Sequence, residues 1–178
     1  MADKKQNKYF GVREDLAGEH TFGDAGQAIL FIIFMAIWIT DSFFYNYSSF
    51  LNDYIPVTAQ ITLGIISLIN AGYLSLTGLK IVFVDVRKEP YVIRNSVFRF
   101  ARHPIYLGEI LLYLGLLFLR ISLAATAVWI VIIVFLYYIS RHEEKLLLVR
   151  FGENYKSYMK DVGMFLPRLF RGKAKTSE

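Results

Sequence analysis

The residue types best suited to chemistry fall in two short segments of the sequence. The first, FRFARHPIYLGE at 98–109, has Arg102 and His103 directly before Pro104. Proline is favoured at the first position of a helix because an N–H group there has no partner in any case. The free N–H groups of such a first turn and the arginine side chain point at the same place. This segment therefore predicts a helix start that binds a carboxylate.

The second segment, SRHEEK at 140–145, has Glu143 and Glu144 directly after an uncharged stretch. Taken alone, these acids are an interfacial charge cluster that pairs with its basic neighbours. The helices that carry the two segments are joined by only a few residues around Arg120. They must form an antiparallel hairpin, and we expect the glutamates to face the arginine–histidine pair at its open end.

Uncharged stretches indicate the elements that position these segments. A bilayer core needs about 20 apolar residues per helix. Residues 54–79 and 121–140 are uncharged over 26 and 20 positions, 29–40 reads ILFIIFMAIWIT, and a shorter apolar stretch at 104–119 contains Glu109. Four such stretches leave too little polar surface for a soluble bundle. We predict an all-α polytopic membrane protein with about four transmembrane helices, the last two a tight hairpin, plus a cytosolic loop and a C-terminal helix.

The positions of the basic residues predict an orientation. All but one of the 20 Lys and Arg residues lie before residue 14, between 80 and 102, or after 140, and Arg120 is the exception. Because basic residues stay on the cytosolic side, we expect an integral, multi-pass protein with both termini and the chemical segments there. The net charge of +5 is thus an orientation signal and requires no nucleic-acid partner.

The same features divide the chain into four parts. These are a cytosolic N-terminal arm at 1–27, the first two transmembrane helices and their loop at 28–91, a C-terminal half with the candidate site at 92–169, and a basic tail at 170–178. At the end of the arm, His20, Asp24 and Gln27 are interpreted as a cap and turn leading into the first helix, or alternatively as a cover over the site. Asp41 is interpreted as an interfacial residue with no catalytic part.

Several kinds of site are excluded or unsupported. The chain has no Cys, which rules out disulfides, thiolate metal ligands and thiol nucleophiles. It also lacks the glycine-rich dinucleotide fingerprint, the phosphate-binding loop and the HExxH zinc motif. No metal site is predicted.

The two segments together resemble a known superfamily. The matching elements are Arg102-His103-Pro104-x-Tyr106-x-Gly108, then Glu143-Glu144-x-x-Leu147-x-x-x-Phe151-Gly152-x-x-Tyr155-x-x-Tyr158, then Phe165-Leu166-Pro167-Arg168. In this order they are similar to the C-terminal half of the isoprenylcysteine carboxyl methyltransferase and phospholipid methyltransferase superfamily. The resemblance implies an integral membrane methyltransferase that uses S-adenosylmethionine, releases S-adenosylhomocysteine and methylates a lipophilic or lipid acceptor arriving from the bilayer.

The resemblance also implies a cofactor site. Arg102, His103, Tyr106 and Gly108 would line the amino-acid and adenosyl side, and Glu143 with Glu144 would hydrogen-bond the ribose or amino group. The chemistry agrees, because the cofactor's carboxylate suits an arginine or a helix start and its ammonium and hydroxyls suit carboxylates. Alignment of the reactants supplies much of the rate in such a transfer, and Arg102 is the first candidate for that task.

Glu109 is the second candidate catalytic residue. An acid one turn inside a membrane helix is costly and often functional. It could hold the cofactor's ammonium or act as a base, or it could simply pair with Arg99 or Arg141.

The acceptor is predicted to be a carboxylate, which needs cations such as Arg94 or Arg99 and no base. The alternative is N- or S-methylation of a lipid or other lipophilic amine or thiol, for which an ammonium must first lose a proton to a base such as Glu109. A reductase with a similar C-terminal half is disfavoured because such enzymes are usually much longer. A distant alternative is a four-helix transporter with Glu109 as its coupling acid.

Overall fold

The computed structural model describes residues 21–84 and 91–167, and within these ranges all regular secondary structure is helical. The α-helices are α1 (Thr21–Ile39), α2 (Val57–Leu79), α3 (Pro104–Leu119), α4 (Leu123–Phe151) and α5 (Glu153–Asp161). Helices α1 and α2 continue into π-helical turns at Thr40–Tyr45 and Lys80–Val84, and 3₁₀ turns occupy Phe50–Asp53 and Ser96–Arg99. The predicted all-α class is confirmed.

Three of these helical segments are long and apolar enough to cross a membrane: Gly23–Tyr45, Val57–Phe83 and Leu123–Phe151. Their large apolar side chains, such as Ile32, Ile69 and Tyr138, are exposed on the outside of the bundle. Helix α3 has 16 residues, or about 24 Å at 1.5 Å per residue. It is shorter than a bilayer core of about 30 Å, so a count of four spans remains a prediction.

Two helix boundaries differ from the sequence prediction. Helix α1 begins at Thr21, so the last residues assigned to a solvated arm instead extend the first span. Helix α4 continues without a break for 29 residues to Phe151, well past the predicted end of its span at 140. The chain then turns at Gly152, whose φ of +53° suits glycine, and α5 follows as the predicted C-terminal helix.

Helices α2 and α3 pack closely through small residues. A Cβ atom built on Gly108 would lie 2.2 Å from Ser75 Oγ and 2.9 Å from the Ala71 carbonyl oxygen. Further along the pair, a Cβ on Gly64 or on Gly115 would lie 3.2 Å from the other's carbonyl oxygen. Close backbone approach at small residues is how membrane helices gain packing contacts. This packing fixes the position of α3, whose first turn forms part of the candidate site.

Helices α3 and α4 form the predicted tight hairpin. Helix α3 ends at Leu119 and α4 begins at Leu123. Ser122 caps α4, because its Oγ accepts a hydrogen bond from the Ala125 N–H at 3.1 Å. Between the helices, Trp129 Nε1 donates to the Ile110 carbonyl at 3.1 Å. Because the two helices are antiparallel, the C-terminal part of α4 lies beside the first turn of α3.

Asp41 joins elements at the opposite end of the bundle from the site. Its side chain is buried and accepts hydrogen bonds from the hydroxyls of Ser48, Ser49 and Ser122 and from the Ser48 N–H at 3.0 Å. These bonds tie the end of α1 to the loop before α2 and to the start of α4. Asp41 therefore has a structural role.

Candidate active site

A cavity of about 390 Å³ lies where the first turn of α3 meets α4 and α5. We call it the site cavity, and we call this end of the bundle the basic end because most described Lys and Arg residues lie there. Residues from every α-helix and from the segment before α3 line it. The hairpin prediction is confirmed here, since Arg102 and His103 meet Glu143 and Glu144 at the cavity.

Arg102 is held in a buried clamp. Its Nη2 and Nε atoms lie 2.6 and 2.7 Å from Oε1 of Glu144, and only 7% and 2% of the two side chains are exposed. Its Nη1 donates to the carbonyls of Met159, at 3.0 Å, and Val162. These contacts use most of the five guanidinium donors. Arg102 reaches the cavity wall, but its main contacts fix the chain after α5 against the start of α3.

His103 lies between the two glutamates. Its Nδ1 is 3.3 Å from Oε2 of Glu143 and its Nε2 is 3.5 Å from Oε1 of Glu144. Burial alone would lower the pKa of His103, but the two neighbouring glutamates outweigh burial and raise its pKa above the usual value. The ring also stacks on Tyr106, with centroids 5.7 Å apart. The two glutamates therefore stabilise the imidazolium form of His103 relative to the neutral ring, and His103 lies between them.

The two glutamates have different surroundings. Glu144 is almost fully buried behind the wall and neutralises Arg102. Glu143 lines the cavity, is 19% exposed and accepts a hydrogen bond from Tyr106 Oη. Only Glu143 of the pair is thus available to a molecule in the cavity.

The first turn of α3 also borders the cavity. Pro104 occupies the start of the helix, as predicted, and no side chain caps this end. Ile105 and Tyr106 line the cavity, and their N–H groups lie in the first turn, where no intrahelical acceptor exists. This helix start remains suited to an anionic group.

Two predicted site residues lie elsewhere. Gly108 faces α2, where Ser75 and Ala71 fill the space next to it, so its lack of a side chain serves helix packing rather than approach by a cofactor. Glu109 accepts a hydrogen bond from Tyr113 Oη at 3.2 Å and does not line the cavity. In the described structure no ion pair joins it to Arg99 or Arg141, and the latter lies 3.7 Å from Glu144 instead.

Further residues outside the predicted site line the cavity wall. Asp24 and Gln27, on the first turns of α1, line the cavity, which agrees with the alternative interpretation of their segment as a cover over the site. Tyr155 and Tyr158 of α5 complete the wall, and Tyr158 Oη donates to the Phe98 carbonyl at 2.5 Å. Both tyrosines belong to the motif quoted above, and this motif was the sequence signal that could have identified them as site residues.

Other predicted residues stand apart from the site cavity. Arg94 and Arg99, expected to bind a carboxylate acceptor, line a separate cavity. His20 and Arg168 lie outside the described residues, as do most of the N-terminal arm and the whole basic tail.

Membrane-length helices that enclose a cavity with apolar walls and a few charged groups at one end define an integral membrane protein with a site for a small molecule. A family model described as "Phospholipid methyltransferase" matches residues 56–154. This match covers more than half of the chain, so the protein belongs to the phospholipid methyltransferase family and is a membrane methyltransferase. The resemblance to the wider superfamily is confirmed. Compared with curated proteins and with solved structures, the chain has no match.

The matched region includes α2, α3 and α4, and with them both chemical segments. It begins after α1, so Asp24 and Gln27 lie outside it. The side of the cavity formed by α1 is therefore described by the structure and not by the family match.

Proposed function

We propose that the protein transfers a methyl group from S-adenosylmethionine to a lipophilic acceptor, with the cofactor bound in the site cavity. The observation that carries this proposal is that Glu143 and the uncapped first turn of α3 lie on the wall of one cavity. The cofactor's amino-acid end has one ammonium and one carboxylate, which these two features complement.

The chemical character of the wall fits the rest of the cofactor. Tyr91, Phe98 and Tyr155 line the cavity and offer aromatic surface to an adenine ring. When bound, the cofactor supplies an electrophilic methyl group on a sulfonium centre. The task of the protein is to orient the acceptor for in-line attack and to exclude water. Arg102 contributes by holding the chain after α5 against the start of α3.

The acceptor enters, in this proposal, between α1 and α2. Helix α1 packs on α4 and α2 packs on α3, with little direct contact between α1 and α2. Leu79, Val82 and Phe83 line the cavity on the α2 side. An apolar side wall near the charged groups Asp24 and Glu143 of the cavity suits a lipid whose head group enters while its chains remain in the bilayer.

We propose an amine as the reacting group of the acceptor. Among the described residues, the cavity has carboxylates at Asp24 and Glu143, while its arginine, Arg102, is already paired. An ammonium must lose a proton before nitrogen can attack, and Asp24 is our candidate for the base. The nitrogen lone pair then forms the bond to the methyl carbon as the carbon–sulfur bond breaks.

A carboxylate acceptor, the sequence-based expectation, is the second candidate. The observation in its favour is the position of Arg87 and Lys88 in the sequence, between the cavity-lining residues Phe83 and Tyr91. A carboxylate is already nucleophilic, so this alternative needs cations at the cavity and no base.

Methyl transfer from labelled S-adenosylmethionine by the purified protein in liposomes tests the proposal. The liposomes carry an aminophospholipid, a prenylcysteine analogue or neither. Methyl esters release labelled methanol in base, whereas N-methyl groups do not. We expect base-stable label in the aminophospholipid, loss of transfer in Asp24→Asn, and unchanged transfer in Asp53→Asn, which alters an exposed acid at the opposite end of the bundle.

Base-labile label in the prenylcysteine analogue, with Asp24→Asn fully active, would show that the acceptor reacts through a carboxylate and not through an amine. Absence of transfer to both acceptors, together with absence of cofactor binding, would contradict the methyltransferase assignment of the cavity itself.

A further inference from the structure

We propose that a second site at the basic end binds a phosphate group, as carried by an anionic phospholipid. The site is a groove of about 410 Å³ whose wall includes Arg94, Arg99, Phe100, Tyr158 and Asp161. We call it the arginine groove. It shares Tyr158 with the site cavity, and its other lining residues are different. The proposed methyl transfer leaves it without a function.

Arg94 is fixed in the groove without being neutralised. Its Nη2 donates to the Asn154 carbonyl, and its guanidinium carbon lies 5.6 Å from the centre of the Tyr158 ring. A carbonyl and an aromatic face orient a guanidinium but leave its charge in place. In the described parts of the chain, no ion pair joins Arg94 or Arg99 to an acid. Asp161 is the one acid among the described residues that line the groove. Two arginines and one acid give the groove a net positive charge.

A rigid turn presents the second arginine. Ser96 has a φ of +52°, which is uncommon for a residue other than glycine and persists only where the surroundings fix it. The next residue, Val97, is fully buried and accepts a hydrogen bond from the Phe100 N–H at 3.1 Å. The buried Val97 side chain therefore anchors the turn, and the turn holds Arg99 and Phe100 at the protein surface in fixed positions.

The groove lies at the level expected of the bilayer surface. Phe100 is 53% exposed and comes four residues before the first residue of α3, Pro104. An exposed ring beside two arginines combines an apolar contact for acyl chains with guanidinium groups for a head group. The guanidinium fork matches phosphate oxygens in a bidentate way, and anionic leaflets attract such clusters. These features favour a lipid phosphate as the ligand.

The test is a calorimetric titration of the detergent-purified full chain with dioctanoyl phosphatidic acid, dioctanoyl phosphatidylcholine and inorganic phosphate. Each arginine near an anionic head group is worth about a fivefold change in affinity. We expect Arg94→Gln/Arg99→Gln to weaken phosphatidic acid binding about tenfold or more. The charge-matched control, Lys145→Gln/Lys156→Gln, alters exposed residues outside the groove and should bind as the wild type does.

Unchanged phosphatidic acid binding in the double arginine variant, or wild-type binding no tighter than that of phosphatidylcholine, would overturn the site. The single change Arg99→Gln, which removes no described ion pair, keeps the test valid if the double variant fails to fold. The variant Phe100→Ser distinguishes a lipid phosphate from free inorganic phosphate as the ligand of the groove. We expect it to weaken lipid binding but not phosphate binding, and equal affinities for both ligands with no effect of Phe100→Ser would overturn the assignment to a lipid.

Discussion

At the residue scale, the two adjacent glutamates have separate tasks. Glu144 is the buried partner of Arg102, whereas Glu143 faces the cavity. The sequence could predict that both acids meet the arginine–histidine pair, because hairpin geometry requires it. It could not predict which acid is buried, since adjacent residues on a helix point about 100° apart and either could have faced inward.

Breaking the buried pair should destabilise the protein. Removing one partner of a buried ion pair leaves an uncompensated charge and typically costs about 3–5 kcal/mol. We therefore expect Glu144→Gln to lower the midpoint of thermal unfolding in detergent strongly. The matched control is Lys156→Gln, which breaks the 2.8 Å ion pair with Glu153 on the protein surface. It should leave the unfolding midpoint unchanged, and an equal loss in both variants would contradict the clamp.

His103 should make stability depend on pH. Its folded-state pKa is raised above the ordinary value of 6.5. The stabilisation that it contributes is therefore fully present below about pH 6.5 and is lost as the pH rises through the folded-state value. We expect the gap in unfolding midpoint between the wild type and His103→Gln to narrow from pH 6 to about pH 9. The exposed His142 provides the control His142→Gln, and a gap that widens with pH would contradict the assigned charge.

At the element scale, helix type and order were predictable, whereas the neighbours of each glycine were not. Uncharged stretches indicated α1, α2 and α4, and Pro104 indicated the first residue of α3. The resemblance places Gly108 beside the cofactor and the structure places it against α2, and a glycine in a motif next to a ligand site looks the same in sequence as a glycine at a helix crossing. Only the position of Ser75 on α2 distinguishes the two.

Gly108→Ala should weaken the α2–α3 interface. Its new methyl group would meet a backbone carbonyl at 2.9 Å as well as Ser75 Oγ, so the helices must separate, at a cost of about 1–3 kcal/mol. Gly72, on α2, has open space where a Cβ would lie, with no neighbouring atom within 4 Å, and Gly72→Ala should be neutral or stabilising by up to about 1 kcal/mol. Thermal unfolding compares the two variants, and equal midpoints would show that the crossing tolerates a methyl group.

At the scale of the whole molecule, one end of the bundle holds the proposed chemistry and the other holds structural contacts. The basic end combines the site cavity and the arginine groove, while the opposite end is tied together by Asp41 and its serines. Basic-residue counts predicted this polarity. For the start of α1 the sequence left a cap and a cover over the site as alternatives, because Asp24 reaches the cavity only through the packing of α1 on α4.

The most direct test of the central claim is calorimetric binding of S-adenosylhomocysteine to the purified protein. We expect the wild type to bind, Glu143→Gln to lose about tenfold or more in affinity through a lost charge-assisted hydrogen bond, and Glu153→Gln, which alters an acid 83% exposed on α5, to bind as the wild type does. Absence of binding to the wild type at millimolar concentration, or equal binding by Glu143→Gln and Glu153→Gln, would contradict the placement of the cofactor in the site cavity.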